Sequence, residues 1–510
     1  MMHWGMRIQR IRWVGTALCI GIAVALILPA GAQSLTDFEK RVHEFTLDNG
    51  LKFLVLERHQ APVVSFHTYA NVGSVDEVKG ITGMAHVFEH MAFKGSKTVG
   101  TRDYAGEVQG LERVDEAFLA LKKERSQGSE ADPQRLAELQ QRLEEAQEKA
   151  SQFMVHDEFE EAFIRAGSVG LNASTSSDAT RYVVNLPSNK VELWMALESD
   201  RFLNPVLREF YKEKDVVKEE RRMRTENSPR GRLMEEFLAI AFKAHPYGEP
   251  TIGHMSDVET MTRSEAKAFF QKYYVPSNFT MAIVGDVDLE EIRSLAETYF
   301  GRIPGAPPPD PVETVEPPQS GQRRVVVEDP SQPWVVMGYH TPDINHADNA
   351  VLEGISDILG TGRTSRLYKS LVKEKKIAVN ASAFQGFPGS KYPGLFVFFA
   401  TPARGHTTQE CEEAVSAEIE RLKTDQVSTQ DLEKFKTRSR ASVVRALASN
   451  RGLARQLTFY EVVTGDWRNL FKQLDAIDRV TSQDIQRVAR KYFTSKNSVV
   501  GVIETRQSDR

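Results

Sequence analysis

The stretch TRSEAKAFFQKYYVPSNFTMAIVGD, Thr262–Asp286, decides how the chain folds, because it occurs twice. It can be laid on TSQDIQRVARKYFTSKNSVVGVIE, Thr481–Glu504, at a constant offset of 219 residues without a gap. Thr262 meets Thr481, Lys272 meets Lys491, Tyr273 meets Tyr492, Asn278 meets Asn497 and Val284 meets Ile503. An internal duplication explains this agreement better than chance does. Each copy reads as a helix opened by a threonine N-cap, then a turn, then an apolar strand.

Working outward, PGAPPPDPVETVEPPQS in residues 304–321 is too rich in proline for a helix or a central strand and reads as an extended linker. It separates a first domain, 40–303, from a second, 322–507. Both open on strand-like text: HEFTLDNGLKFLVLER and VVSFHTYANVG in the first, RRVVVED and WVVMGYHTP in the second. Long helical stretches follow, NKVELWMALESDRFLNP in the first and SDILGTGRTSRLYKSLVKE in the second. The fold class expected is α+β: two homologous domains, each a mostly antiparallel sheet with helices on one face. The first carries an insertion at 106–154, where leucines at helical spacing lie in a charged background broken by GSEADP. That pattern predicts a helical hairpin projecting into solvent or onto a partner, with a solvated charged face the favoured reading.

A chain of 510 residues is too long for a single core. Its 65 Lys and Arg against 70 Asp and Glu leave no basic footprint, so nucleic acid is excluded as a partner. At the start, Arg7, Arg10 and Arg12 precede an apolar run from Trp13 to Pro29 and the small residues Ala30, Gly31 and Ala32. This reads as a secretory signal peptide, 1–32, cut after Ala32; membrane attachment follows only if it stays uncleaved. Removal takes Cys19 and leaves Cys411, which cannot form an internal disulfide alone. A bacterial periplasm is the compartment expected.

The chemistry lies in GMAHVFEHMAFKG, Gly83–Gly95. If it is helical, His86 and His90 stand one turn apart on one face, with Glu89 three residues from His86. Catalytic zinc takes three protein ligands and keeps one position open, and neutral imidazoles suit it. His86 and His90 supply two donors. Glu89 is better placed to hold a water and take its proton than to bind the metal. The order His-x-x-Glu-His is the inverzincin signature.

Taken with GLNASTSSDATRY, VVKEERR and NSPRGR, this motif resembles the pitrilysin/insulinase family of zinc peptidases. The nearer likeness is to its short bacterial members and to the mitochondrial processing peptidase β subunit, over nearly all of the mature chain. The resemblance implies one Zn2+ per chain and a zinc endopeptidase acting on unfolded or short peptides. It implies a third ligand from a pair of acidic residues seven apart, a spacing that Glu213 and Glu220 fit. Glu220 is then the implied ligand and Glu213 a carboxylate that steadies the ligands from behind. The neighbouring Glu219, turned the other way on a helix, is the weaker candidate. This pair lies farther past His90 than is usual in the family, and the 106–154 insertion accounts for the excess. Asn172 and Ala173 are implied to lie on a sheet edge that pairs with the substrate backbone.

The second domain resembles the family's inactive repeat. Relatives carry an Arg and a Tyr, seven residues apart, that reach the substrate carbonyl; here Val372 and Val379 stand at those places, and neither can donate a hydrogen bond. A homologous partner subunit supplying the Arg and Tyr is therefore implied, a heterodimer, with a homodimer the other possibility. The alternative function is a non-catalytic structural or partner subunit of a peptidase-like complex.

Overall fold

In the first half, the apolar runs pair into a six-stranded sheet built from β1 (Val42–Thr46), β2 (Lys52–Glu57), β3 (Val63–Ala70), β4 (Val169–Thr175), β5 (Thr180–Pro187) and β6 (Phe279–Gly285). The second half forms a five-stranded sheet from β7 (Arg323–Asp329), β8 (Trp334–Thr341), β9 (Ala378–Phe387), β10 (Gly394–Pro402) and β11 (Ser498–Thr505). The structure is a computed structural model, described over residues 38–505; the signal peptide expected at 1–32 lies outside the described residues. The chain divides into a short unit ending at Arg41 and a large one beginning at Val42, and all that follows concerns the large unit.

Strand order is β1-β2-β6-β3-β5-β4 in the first sheet and β7-β11-β8-β10-β9 in the second. Apart from the extra β1, one order repeats the other. In each, the strand from the repeated segment, β6 or β11, runs parallel to one neighbour and antiparallel to the next, and the remaining pairs are antiparallel. This is the α+β class with two homologous domains.

The helices that position the site are, in chain order, α1 (Met84–Met91), α2 (Tyr104–Arg125), α3 (Pro133–Ser151), α4 (Val191–Leu203), α5 (Phe210–Arg221), α6 (Pro229–Ala241), α7 (Arg263–Tyr273), α8 (Asn349–Gly360), α9 (Asn450–Thr464) and α10 (Ser482–Tyr492). The duplication persists down to single hydrogen bonds. Thr262 and Glu265 close a capping box at the start of α7, as Thr481 and Asp484 do on α10. Asn278 donates to the Tyr273 carbonyl at 2.9 Å and Asn497 to the Tyr492 carbonyl at 2.8 Å.

The two halves are joined by an exchange of helices. Side chains alternate across a strand, so Phe66 and His67 of β3 face opposite ways. Phe66 stacks on Trp194 of α4 at 4.3 Å, while His67 lies 2.9 Å from Thr458 of α9, a helix of the second half. Reciprocally, α6 of the first half lies on β7 and β11. Its Phe237 is fully buried with Val336, Leu395 and Val499. A Cβ on Gly338 would come within 2.7 Å of Phe237, and one on Gly501 within 3.2 Å, so the glycines leave the seat for this ring. Each sheet thus has one face covered by its own helices and part of the other covered by a helix from the opposite half.

Two features differ from the sequence reading, and a third goes beyond it. The hairpin of α2 and α3 does not project freely: Leu111, Val114, Phe118, Leu121, Leu139 and Leu143 are buried, and Phe118 stacks on Tyr211 of α5 at 4.1 Å. Its leucine stripe is wider than one hairpin can bury within itself, so the inner face joins the core of the first half and only the outer face meets water. The stretch SDILGTGRTSRLYKSLVKE is two pieces, since α8 stops at Gly360 and a π-helical turn, Tyr368–Glu374, follows. Gly360 lies so close to β9 that a Cβ there would fall 2.1 Å from the Ala383 carbonyl oxygen. The proline-rich segment is extended but strapped down: Glu316 accepts hydrogen bonds from the amides of Lys243, Ala244 and His245 at 2.9, 2.8 and 3.1 Å.

The contact of His67 with α9 makes the union of the halves sensitive to acid. Burial, aided by the charges of Arg181, Arg455 and Arg451, pushes the His67 pKa down from 6.5 to about 3. As pH falls below 6.5 the unfolded chain takes up a proton that the folded chain refuses, so stability is lost on acidification until the folded value is reached. His67→Asn, which keeps a polar group within reach of Thr458, is expected to flatten the dependence of unfolding free energy on pH across that window by up to about 1.4 kcal/mol per pH unit. Urea unfolding at a series of pH values measures it.

Candidate active site

Helix α1 begins at Gly83, whose φ of 88° lies in the left-handed region and whose Cβ, if present, would fall 2.6 Å from the Ile252 carbonyl oxygen. The first amides of the helix are taken up by Glu77, which accepts from Gly83 N–H and Ala85 N–H, both at 2.7 Å. Burial raises the pKa of Glu77 well above the carboxylate range, although these two amides pull against it. Met84, Ala85, Val87, Phe88 and Met91 of α1 are buried, and Phe88 packs against Phe269 and Tyr274. His86 is buried one turn before His90, while Glu89 and His90 are half-buried.

Facing them is α5, whose Phe210, Tyr211 and Val217 are buried. Glu213 and Glu220 are seven residues, about two turns, apart and so share a face. His86 Nε2 and His90 Nε2 each lie 3.4 Å from the same oxygen, Glu220 Oε2. The edge of a tetrahedron with bonds of about 2.05 Å is roughly 3.3 Å, so these separations suit a zinc-sized ion held between the three atoms. The His86 and His90 rings are 5.0 Å apart and nearly perpendicular, at 86°. Ligand atoms of His86, His90 and Glu220 all lie within 4.8 Å of one another. Two imidazole nitrogens and one carboxylate oxygen are a donor set that suits catalytic zinc. Glu219 stands apart, exposed and paired with Arg222 at 3.0 Å.

Glu213 sits behind the histidines. His90 Nδ1 donates to it at 2.9 Å and Lys94 Nζ lies 2.8 Å from its other oxygen. Burial acts to raise the pKa of Glu213, but the contacts with His90 and Lys94 prevail and hold it at about 2. Burial acts to lower the pKa of His90, yet Glu213 first, then Glu220 and Glu89, raise it. With the proton of Nδ1 committed to Glu213, Nε2 is the nitrogen presented to Glu220. Burial lowers the His86 pKa to about 4, more than Glu220 can offset, which keeps this imidazole neutral and able to donate its lone pair.

Asn172 and Ala173 lie on β4, the edge of the first sheet, and α1 packs against this strand. Ala173 turns into the core and Asn172 is exposed. Only β5 pairs with β4 among the described residues, so its outer edge is open. Val372 falls in the π-helical turn and Val379 on β9, where it is exposed.

Several supports of the site were not foreseen. Arg208 binds Glu107 of α2 through Nε at 2.7 Å and donates to the carbonyls of Ser96 at 2.6 Å and Val99 at 2.8 Å, fixing the loop that follows α1. Lys214, beside Glu213, donates to the carbonyls of Glu259 and Met261 and lies 4.2 Å from the Phe118 ring centre. Burial pushes its pKa down to about 7. Glu77 and Lys94 belong to the same group of supports. These residues act through contacts between distant segments, and no local pattern marks them. The one available signal was composition, since charged residues set among apolar ones are seldom buried without partners.

Residues 52–120 and 127–254 match the family described as Insulinase (Peptidase family M16), and residues 260–439 match the Peptidase M16 inactive domain. The gap in the first match falls in the α2–α3 hairpin. Zinc protease PqqE of Helicobacter pylori is 28% identical over 488 residues, covering 94% of this chain and 96% of that protein. A solved protease from Helicobacter pylori is similar with a TM-score of 0.76 at 27% identity, over 91% of this chain and 99% of that one. The periplasmic protease PqqL from Escherichia coli shares the fold with a TM-score of 0.68 at 17% identity, and 92% of this chain corresponds to 48% of that longer chain.

Glu213→Gln keeps the shape behind His90 but removes the charge that orients it. Zinc affinity, measured by competition with a chromogenic chelator, is expected to fall about 10- to 100-fold without loss of helical circular dichroism.

Proposed function

The chain belongs to the M16, or insulinase, family of peptidases, and from that premise we propose that it is a zinc-dependent endopeptidase cleaving unfolded or short peptides. The observation that carries this reading is the approach of Glu220 to 3.4 Å from both His86 and His90. In the proposal these three residues hold one zinc per chain. Relatives named zinc protease support the choice of metal.

An extended peptide adds to the open edge of β4 near Asn172 and Ala173 through main-chain hydrogen bonds, which favours unfolded segments over folded ones. Glu89, half-buried on α1 with a carboxylate that makes no hydrogen bond among the described residues, holds the attacking water, takes its proton and passes it to the leaving amine. Glu213 keeps His90 in the tautomer that the site requires. Zinc, when bound, supplies a Lewis acid that acidifies the water and polarises the scissile carbonyl.

Val372 and Val379 cannot donate to a developing oxyanion. We assign that role to a homologous partner subunit carrying an Arg and a Tyr, with a homodimer as the other arrangement. PqqL, of which this chain matches 48%, is a single chain about twice as long and supports pairing of two such units. A periplasmic location is supported by the N-terminal sequence and by the name of PqqL. No helix among the described residues is long and apolar enough to cross a membrane. The two valines also favour a second reading, a subunit that does not turn over substrate.

Hydrolysis of an unfolded reporter peptide by the zinc-loaded chain, alone and with a homologous chain bearing the Arg and Tyr, separates these readings. Glu89→Gln is expected to lower kcat by about 10²- to 10⁴-fold with one zinc per chain retained. Absence of turnover in every combination would support the non-catalytic reading.

A further inference from the structure

The face of the first sheet that meets α9 carries His67, Tyr69 and Ser65 of β3, in register with Val183, Arg181 and Asn185 of β5. On β4 the partners of Val183 and Arg181 are Asn172 and Ser174, which point to this same face. Helix α9 lies over β2, β3 and β6. Beside it, toward the open edge, runs a strip formed by β5, β4 and the near side of α9.

Three arginines border the strip. Arg181 lies with its guanidinium 5.1 Å from the Tyr69 ring centre. Arg451 of α9 reaches across to β4, where a Cβ on Gly170 would fall 3.0 Å from its Nη1. Arg455 is one turn farther along α9, on the same side. Arg451 and Arg455 are exposed and Arg181 half-buried, and among the described residues none of the three pairs with a carboxylate. The charged groups that act on the buried His67 are these three cations. At the Val169 end the strip opens into a cavity of about 440 Å³ lined by Arg58, Ser65, Asn185, Asn450 and Arg451, with no Asp or Glu in its wall.

Exposed arginines are ordinary, but three gathered near an open strand edge, none paired with a carboxylate among the described residues, form a field complementary to an arriving anion. A peptide laid along β4 turns alternate side chains to this face. Gly170, beside Arg451, and Ser174, beside Arg181, stand four positions apart on β4, with a bulge between Val169 and Asn172.

We propose that this strip recognises carboxylates of the substrate peptide, so that Arg181, Arg451 and Arg455 select segments with acidic side chains at alternate positions or with a terminal carboxylate near the Val169 end. The proposal rests on the reading of β4 as the substrate edge. It names the substrate class of that site: extended acidic peptides.

The test uses the full chain with zinc bound and Glu89→Gln to stop turnover. Labelled peptides differ only in Glu against Gln at alternate positions, and in a free against an amidated C-terminus; fluorescence anisotropy reads binding. The Glu peptides are expected to bind about tenfold more tightly than the Gln peptides, with the preference shrinking at high salt. A preference confined to the free C-terminus would identify the terminal carboxylate as the group recognised. Arg451→Gln, Arg455→Gln and Arg181→Gln should each reduce the preference, zinc content and thermal midpoint serving as checks on the fold. Equal affinity for acidic and neutral peptides would overturn this inference alone and leave the peptidase reading standing. Failure to bind peptides of any charge would overturn both.

Discussion

Two imidazoles on α1 and a carboxylate oxygen on α5 have to meet to within a fraction of an ångström, and the two helices that carry them are more than a hundred residues apart in the chain. Burying these polar groups is unfavourable unless each finds a partner. Glu213 answers His90, Lys94 answers Glu213, and Arg224 answers the second oxygen of Glu220 at 2.6 Å. Around Glu213, His90 and Glu220 the set is a chain of charges in which each member compensates the next, while the buried Nδ1 of His86 has no hydrogen-bond partner among the described residues. Loss of one link leaves a buried group without its counterpart.

The rest of the molecule can be read as the means of holding α1 and α5 together. Glu77 binds the start of α1, and Arg208 ties the loop after it to the α2–α3 hairpin through the buried Glu107. Phe118 of that hairpin packs on Tyr211 of α5, and Lys214 joins α5 to the segment before α7. Past Glu220 the chain passes through a π-helical segment, Arg222–Glu226, into α6. Because α6 is buried against the second sheet, the helix carrying Glu213 and Glu220 is anchored at its far end in the other half. The second half thereby supports the candidate site through α6.

Much of this was legible in sequence because it depends on local periodicity. The repeated helix, turn and strand appeared at a fixed offset, and both copies keep the same capping box and asparagine bonds. His86, Glu89 and His90 were placed by helical spacing alone, whereas Glu220 needed a likeness to relatives, since no local pattern selects one glutamate from an acidic helix. What sequence did not reveal depends on which element lands on which. The exchange of α6 and α9 between halves follows from apolar stripes that look the same whichever sheet they cover. A charged outer face makes the hairpin look solvated in sequence, and its inner stripe finds a core only in three dimensions. The break after Gly360 comes from the close passage of β9, a contact made by the fold.

Helix α1, which carries two of the three candidate ligands, packs against β4, and in the reading proposed above an extended peptide on that strand meets both the donor set and the arginines. Without a metal between α1 and α5 the candidate site has no chemistry to perform. X-ray absorption at the zinc edge of the zinc-loaded chain is the most direct measurement. It should find one zinc per chain with about four nitrogen or oxygen neighbours at roughly 2.0–2.1 Å, two of them imidazole. A chain that holds no stoichiometric zinc, or zinc whose spectrum lacks imidazole scattering, would contradict it.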